Sequence, residues 1–518
     1  MNAVASPQPA AVAPGRLIYL TIFVLSFVDF LQSGMTAFAA GPIMGEVGIT
    51  PEDFSLVAAA YAAVAILMIS MQRWFVERFG GRPCIQGALV VLMVGDALSA
   101  GSSDFATFLA GRLVMAVGGG ALFTSSRMII HHCLAGPRRF AGVKALASSV
   151  ALGIAAAPWL AAVMVSNATW NAIYWLLAAV AALAFVLAGL TLPREALLPS
   201  GQQRAEPDPW QQFLLVGGSF MLLYALQRLY YDYYGDRGWT LLLLGAAVAA
   251  LLIYARRQHT TERPLLALRH MLHARYVAGV LLFMFGYLML GANNYVIPVM
   301  LQRTLGYSWE TVGHFQALGF LFAMLTWLVM SRALPRWPAP RKFLVVGFLS
   351  LAGFGWLMGR LTLSANLWLH ILPALALYSV FLLTVLPTAA MQTFRQLEFD
   401  EAVFSNGQQL KNMLGQAGIA FGITLATLGQ QWRTAVHYGV LNTWITPDAP
   451  RYVDAVRHVQ AALAGTLGAG PATQVATASV ARQLAQQAAL LANIDHFHAL
   501  ELLGLSGIVV TLVQRVLR

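Results

Sequence analysis

The chain has 518 residues, 58% of them hydrophobic and only 10% charged, with a formal net charge of +11. That balance excludes an ordinary soluble globular protein and points to many membrane-spanning helices. The basic residues sit in short loops between apolar runs, so they read as membrane topology and not as a nucleic-acid surface. Two cysteines, Cys84 and Cys133, argue against a disulfide framework or a zinc cluster.

Residues 1–16 are Ala/Pro-rich with one charge and are expected to form a disordered cytoplasmic tail. They lack a basic n-region, and the apolar run that follows is too long for a cleaved signal. About 20 apolar residues span a bilayer. With that window fourteen segments emerge, near 17–40, 54–75, 84–101, 105–126, 143–166, 170–192, 211–231, 239–255, 276–300, 310–331, 343–361, 366–391, 406–430 and 497–516. Most of the 32 basic residues fall on one side if both termini are cytoplasmic, and the links after segments 1, 3 and 5 carry none. That bias predicts cytoplasmic termini and an even number of spans. The only long extramembrane stretch, 431–496, contains two Ala/Gln-rich runs of helical character separated by GAGPAT. It reads either as a solvated cap over the helix ends or as a docking surface for a periplasmic partner.

Segment 1 contains IFVLSFVDFLQSGMTAF, residues 22–38, with Asp29 near its centre. A carboxylate at bilayer depth is costly, so such residues tend to face an internal cavity and carry function. Between segments 2 and 3, RWFVERFGGRPC puts Glu77, Arg78, Gly80 and Arg82 on a tight turn. Ion pairs there could form in one conformation and break in another; flanking positive charge is the plainer reading. Segment 4, FLAGRLVMAVGGGALFTSSR, places Arg112 about eight residues into the span, buried or snorkelling outward. Asp96 lies five residues before the 3–4 turn, at a similar depth, and reads as a structural partner of Arg112 or as a second protonation site. Lys411 lies near the interior of segment 13, either snorkelling to the cytoplasmic end or marking an anionic substrate. Gln32, Asn293 and Asn294 are candidate cavity-lining groups.

These motifs resemble those of the major facilitator superfamily. The 73–84 stretch is similar to its loop 2–3 signature, with Glu77 at the usual Asp position and Arg78, Gly80 and Arg82 matching. Arg112 resembles the arginine of its helix 4 pattern. ALGIAAAPWLAAVM is similar to the helix 5 antiporter signature, with Gly153, Ala157 and Pro158 in place and alanine where glycine is usual. FVDFLQSGMTAFAAGPIM, GANNYVIPVMLQRTLGYS and QLKNMLGQAGIAFG resemble helices 1, 9 and 13 of its fourteen-spanner drug:proton antiporter branch, the multidrug efflux type. The resemblance covers nearly the whole chain.

It implies an all-α membrane protein with the major facilitator fold: a six-helix half at 17–192, a linker with two inserted helices at 193–256, and a second half at 257–518 that includes the 431–496 stretch. It implies a proton-coupled inner-membrane exporter of amphiphilic or aromatic drugs or toxic metabolites. Proton coupling would run through Asp29, Arg112 and Asp96. A proton gradient, and no cofactor or metal, would supply the energy. Implied partners are a small-molecule substrate, protons, the lipid bilayer, and a periplasmic membrane-fusion protein with its outer-membrane channel. An importer or uncoupled facilitator of an organic anion on the same fold is the alternative. A membrane enzyme is disfavoured, because His131 and His132 have no nearby acid and the acids of the long stretch are widely spaced.

Overall fold

The computed structural model describes residues 15–193, 206–232, 235–261, 264–271, 273–336, 339–394, 397, 401–445 and 449–517. Most of the expected tail, residues 1–14, and part of the linker, 194–205, lie outside the described residues. The described chain is almost wholly helical and opens with α1 (Leu17–Phe38), α2 (Ala40–Val47), α3 (Pro51–Phe79) and α4 (Gly81–Ala100). Next come α5 (Phe105–Gly119), α6 (Leu122–Cys133), α7 (Pro137–Asn167) and α8 (Ala172–Thr191). α9 (Pro209–Asp232), α10 (Arg237–Thr260) and the short α11 (Leu268–Met271) lead into α12 (Ala274–Val299), which ends in a π-helical turn, Met300–Thr304. α13 (Trp309–Arg336) and α14 (Pro340–Met358) follow. A second π-helical turn, Leu367–Ile371, opens α15 (Leu372–Phe394). The chain closes with α16 (Glu401–Asn442), α17 (Pro450–Leu467) and α18 (Ala469–Val513).

Local chemistry sets these boundaries. Thr50 and Asp53 form a reciprocal capping box that starts α3, with Pro51 at its first turn. Gly80, at φ +85°, is the single residue between α3 and α4; this is the tight turn expected from the sequence. Asp104 caps α5 by accepting from the Thr107 N–H at 3.0 Å, and these hydrogen bonds hold its exposed carboxyl below the usual range. The fourth apolar segment is not one rod. It is interrupted at Gly120–Ala121 between α5 and α6, and there Gly120 approaches Ala65 too closely for any side chain.

Twelve spans among the described residues are long and apolar enough to cross a membrane. α9 and α16 are also long, but their polar residues keep them out of that set. The 431–496 stretch is not a loop: α16 runs 42 residues, α18 runs 45, and among the described residues only 443–445, 449 and Gly468 lie outside the helices of this region. At 1.5 Å per residue both helices exceed the ~30 Å apolar thickness of a bilayer about twofold. With α17 they build a projection beyond one face.

α1, α3–α8 pack into one half, and α12–α16 with α18 into the other. The halves meet where α7 packs on α13, α3 on α16 and α1 on α12, while α9 leans on both α3 and α16. The C-terminal end lies beside the starts of α12 and α14, on what is here called the terminal face: Arg275 and Arg341 bond carbonyls of Val516 and Gln514. Small residues let helices approach where hydrophobic pressure between them is absent. A Cβ on Gly118 would lie 2.3 Å from the Leu92 nitrogen, and one on Gly422 would lie 2.1 Å from the Leu288 carbonyl oxygen.

This contact yields a stability test. Gly118→Val is expected to cost about 1–3 kcal/mol or more by overpacking the α4/α5 seam, read as a lower melting temperature of purified protein. Gly87→Ala, on the same α4 with nothing within 4 Å of its Cβ, is expected to be neutral or mildly stabilising.

Candidate functional site

Between the halves lies a cavity lined by Asp29, Phe123, Tyr287, Asn294, Asn412 and Gln416, among others. Its enclosed free space is about 50 Å³, well under the ~300–1,000 Å³ of sites that hold drug-sized molecules. Contacts on both sides account for the small volume. Toward the face opposite the termini, Phe38 meets Trp309 edge-on at 5.7 Å, and Gly313 of α13 sits against Pro158 and Ala162 of α7. Toward the terminal face, Arg127 donates to Gln408 at 2.9 Å, Asn412 to Thr124 at 2.5 Å, and Gln409 to the Ile69 carbonyl at 3.1 Å. His131 packs edge-on against Phe404 just beyond. The structure is therefore occluded, closed by cross-half contacts above and below the cavity.

Asp29 faces the cavity and is 7% exposed. Gln32, one turn on, donates to its Oδ1 at 3.4 Å and also to the Tyr61 hydroxyl at 2.7 Å. The Arg112 guanidinium lies over the Tyr61 ring at 4.6 Å. Asp29 and Arg112 are thus linked through Gln32 and Tyr61 and form no direct ion pair. From the other half, Lys411 reaches Phe123, which lines the same cavity as Asp29.

Lys411 departs from one of its two expected readings. It does not snorkel: its side chain is fully buried, its Nζ has no hydrogen-bond partner, and it lies 5.0 Å from the rings of both Phe123 and Phe283. Arg127 lies over the same Phe123 ring at 5.4 Å. Asp96 is fully buried with neither oxygen hydrogen-bonded, and Arg112 acts on it from beyond ion-pair distance. No contact ion pair joins Asp96 and Arg112 among the described residues; Arg112 instead reaches the Met115 sulfur at 3.4 Å.

The remaining candidates divide. Asn294 lines the cavity, but Asn293 bonds back to the Met289 carbonyl of its own helix, and Gln32 sits behind Asp29. At the α3/α4 turn, Glu77 pairs with Arg73 at 2.6 Å, within one helix. Arg78 lies over Trp74, and Arg82 donates to Gln86. Gly153, Ala157 and Pro158 are all buried on α7. Alanine at 157 does not hold the helices apart, since its Cβ packs where Gly34 of α1 has none. Sequence reasoning missed Tyr61, Phe123, Arg127, Tyr287, Asn412 and Gln416. A lone tyrosine in AAAYAAV was a usable signal for the first; the others needed the packing.

The Tyr61 bridge can be tested by stability. Tyr61→Phe removes the hydroxyl but keeps the ring under Arg112, and is expected to cost about 0.5–1.5 kcal/mol. Tyr61→Leu removes both and is expected to melt lower still, by about 0.5–2 kcal/mol more. Equal melting of the two variants would contradict the Arg112 stacking.

Comparison with known proteins gives the same architecture. The family model described as Major Facilitator Superfamily matches residues 22–423. A protein named "Putative multidrug resistance protein MdtD" from Salmonella typhi is 24% identical over 439 residues, covering 82% of this chain and 91% of its own. The protein of that name from Cronobacter sakazakii is 24% identical over 415 residues, covering 79% and 85%. Among solved structures, an auto-inhibited POT family peptide transporter superposes with a TM-score of 0.59 at 16% identity, covering 94% of this chain and 97% of its own. The POT family transporter PepTSo gives 0.56 at 15%, covering 94% and 98%. The nucleoside transporter NupG gives 0.52 at 12%, covering 93% and 99%. With its paired helical halves, its central cavity and a family match over most of its length, the chain belongs to the Major Facilitator Superfamily and is a membrane transporter, not an enzyme.

Proposed function

We propose that the protein is a proton-coupled exporter of amphiphilic or aromatic drugs or toxic metabolites, working by alternating access as an antiporter. The observation that carries this reading is Asp29, a buried carboxylate facing the cavity at the seam between the halves. A proton on Asp29 changes the charge buried at that seam. Because the cost of a buried charge differs between conformations, protonation shifts their equilibrium. Moving the charge through the membrane potential adds about 2.3 kcal/mol per 100 mV. The multidrug-resistance names of the relatives support the drug-export direction.

The same reading places the protein in a bacterial inner membrane with α9 and α16 also spanning, which makes fourteen crossings and leaves both termini cytoplasmic. That is the orientation the basic loops favour. The terminal face is then cytoplasmic, and the projection of α16, α17 and α18 is periplasmic, placed to meet a membrane-fusion protein that leads to an outer-membrane channel.

The test is proton release from purified protein on adding drug candidates at low buffer strength. Wild type is expected to release protons with compounds that bind, and Asp29→Asn is expected to abolish that release while retaining binding. Undiminished release in Asp29→Asn would move the coupling to Asp96. Binding without release in wild type would favour an uncoupled facilitator, a reading that the buried Lys411 side chain also supports.

A further inference from the structure

The inserted helix α9 crosses the seam where α3 of the N-terminal half meets α16 of the C-terminal half. It is hydrogen-bonded to α3 near both of its ends. Gln212 accepts from the Ser70 hydroxyl at 3.2 Å, with both side chains buried, and Gln227 donates to the Glu52 carbonyl. At 1.5 Å per residue the two bonds lie about 27 Å apart along α3. α10 shares this attachment through α9. Gly218 of α9 sits against Leu251 and Ala250 of α10, and Gln258 donates to Gln211 at 2.7 Å, again between buried side chains. Midway along α9 the contact is of another kind. Leu223 packs in one apolar cluster with Ala59 and Ala62 of α3 and Ala420 of α16, with Phe421 beside it.

Resting on the alternating-access reading above, we infer that the α9–α10 pair is a side wall carried by the N-terminal half: it stays seated on α3 while α16 slides past Leu223, and it keeps the α3/α16 seam closed to lipid as the halves move. Buried hydrogen bonds at both ends of a helix resist its translation, because a shift leaves each buried polar group unsatisfied, and that is costly. A contact among alanines and one leucine has no such barrier, since small side chains present a shallow surface and let helices lie close. The seam needs a wall because it is not purely apolar. Gln409 of α16 donates to the Ile69 carbonyl of α3 at 3.1 Å, and the Ser55 and Thr424 hydroxyls pair at 3.3 Å across the halves. Rocking the halves breaks such bonds on whichever side opens, and the freed groups cannot face hydrocarbon. A helix fixed to one half and lying over both shields them throughout the cycle. The inserted pair thus serves transport without touching substrate.

The test joins one position of α9 to each half in turn. Cys84 and Cys133 are replaced by serine, and Asn294→Cys is added as a reporter inside the cavity. Leu223→Cys is then combined with Ala62→Cys in one protein and with Ala420→Cys in another; the three positions share one cluster, so only the partner half differs. Each purified protein is oxidised to form the disulfide. The rate at which a small charged methanethiosulfonate labels the reporter is compared with that of the protein carrying Leu223→Cys alone. Reaching the occluded cavity requires the halves to open, so the rate reports that motion. The link to α3 is expected to leave the rate unchanged. The link to α16 is expected to slow it about tenfold, within the ~5–150-fold range of typical coupling energies. Slowing by the α3 link, or an α16 link without effect, would each overturn the wall. Melting temperatures of the unlinked proteins check their fold; should Leu223→Cys not fold, Ser70→Cys with Gln212→Cys tests the α3 attachment in the same assay, with the same expectation of an unchanged rate. An unlinked protein that never labels would contradict alternating access, and the wall with it. Failure of the antiport reading is seen separately, as drug-triggered proton release that Asp29→Asn leaves intact.

Discussion

The whole arrangement depends on the cost of holding ionised groups away from water. Asp29, Asp96, Arg112 and Lys411 are each at least nine-tenths buried, in a fold whose helices were selected for apolar surroundings. None of them has a contact ion pair among the described residues. Each is instead met by weaker partners: an amide for Asp29, aromatic faces for Arg112 and Lys411, and a distant charge for Asp96. Strong pairing would make one conformation too stable to leave. Weak, shared compensation keeps the charges tolerable yet responsive to a single proton, as a transporter that alternates between states requires.

The occluded geometry fits this view. The contacts toward the terminal face include three hydrogen bonds to one turn of α16 and the His131–Phe404 ring contact, whereas those toward the opposite face set Trp309 against Phe38 and Gly313 against α7 beside one hydroxyl pair, Ser55 with Thr424. The two closures therefore differ in balance. Polar contacts respond to charge in the cavity; apolar contacts respond to shape. A proton would act on the first and a bulky substrate on the second.

Much of the fold could be read in the chain because the bilayer constrains helices so strongly. The many long apolar helices, the Gly80 turn and the Pro158-bearing helix follow from apolar length and from residues with narrow backbone rules. Asp29 was legible for a similar reason: a lone acid in an apolar run has no cheap explanation. What the sequence could not supply was azimuth. Lys411 looked like a residue near a helix end, because position along α16 says nothing about which neighbours surround it, and α16 extends far enough that residue 411 is well inside. The structural Asp96–Arg112 pair, one of two readings, failed on the same point: depth matched, but Arg112 lies over the Tyr61 ring and reaches the Met115 sulfur. The weakened antiporter pattern at Ala157 could be judged only with Gly34 in view, since spacing between helices is set by both partners.

The central claim is that neutralising Asp29 shifts the conformational equilibrium of the two halves. The most direct test is the distance between spin labels on the terminal-face ends of α6 and α16, measured by electron double resonance from pH 8 to pH 5 in a background with Cys84 and Cys133 replaced. The account predicts a population of longer distances that grows as pH falls, and that Asp29→Asn shows at every pH. A distance distribution that is independent of pH, and unchanged by Asp29→Asn, would contradict it.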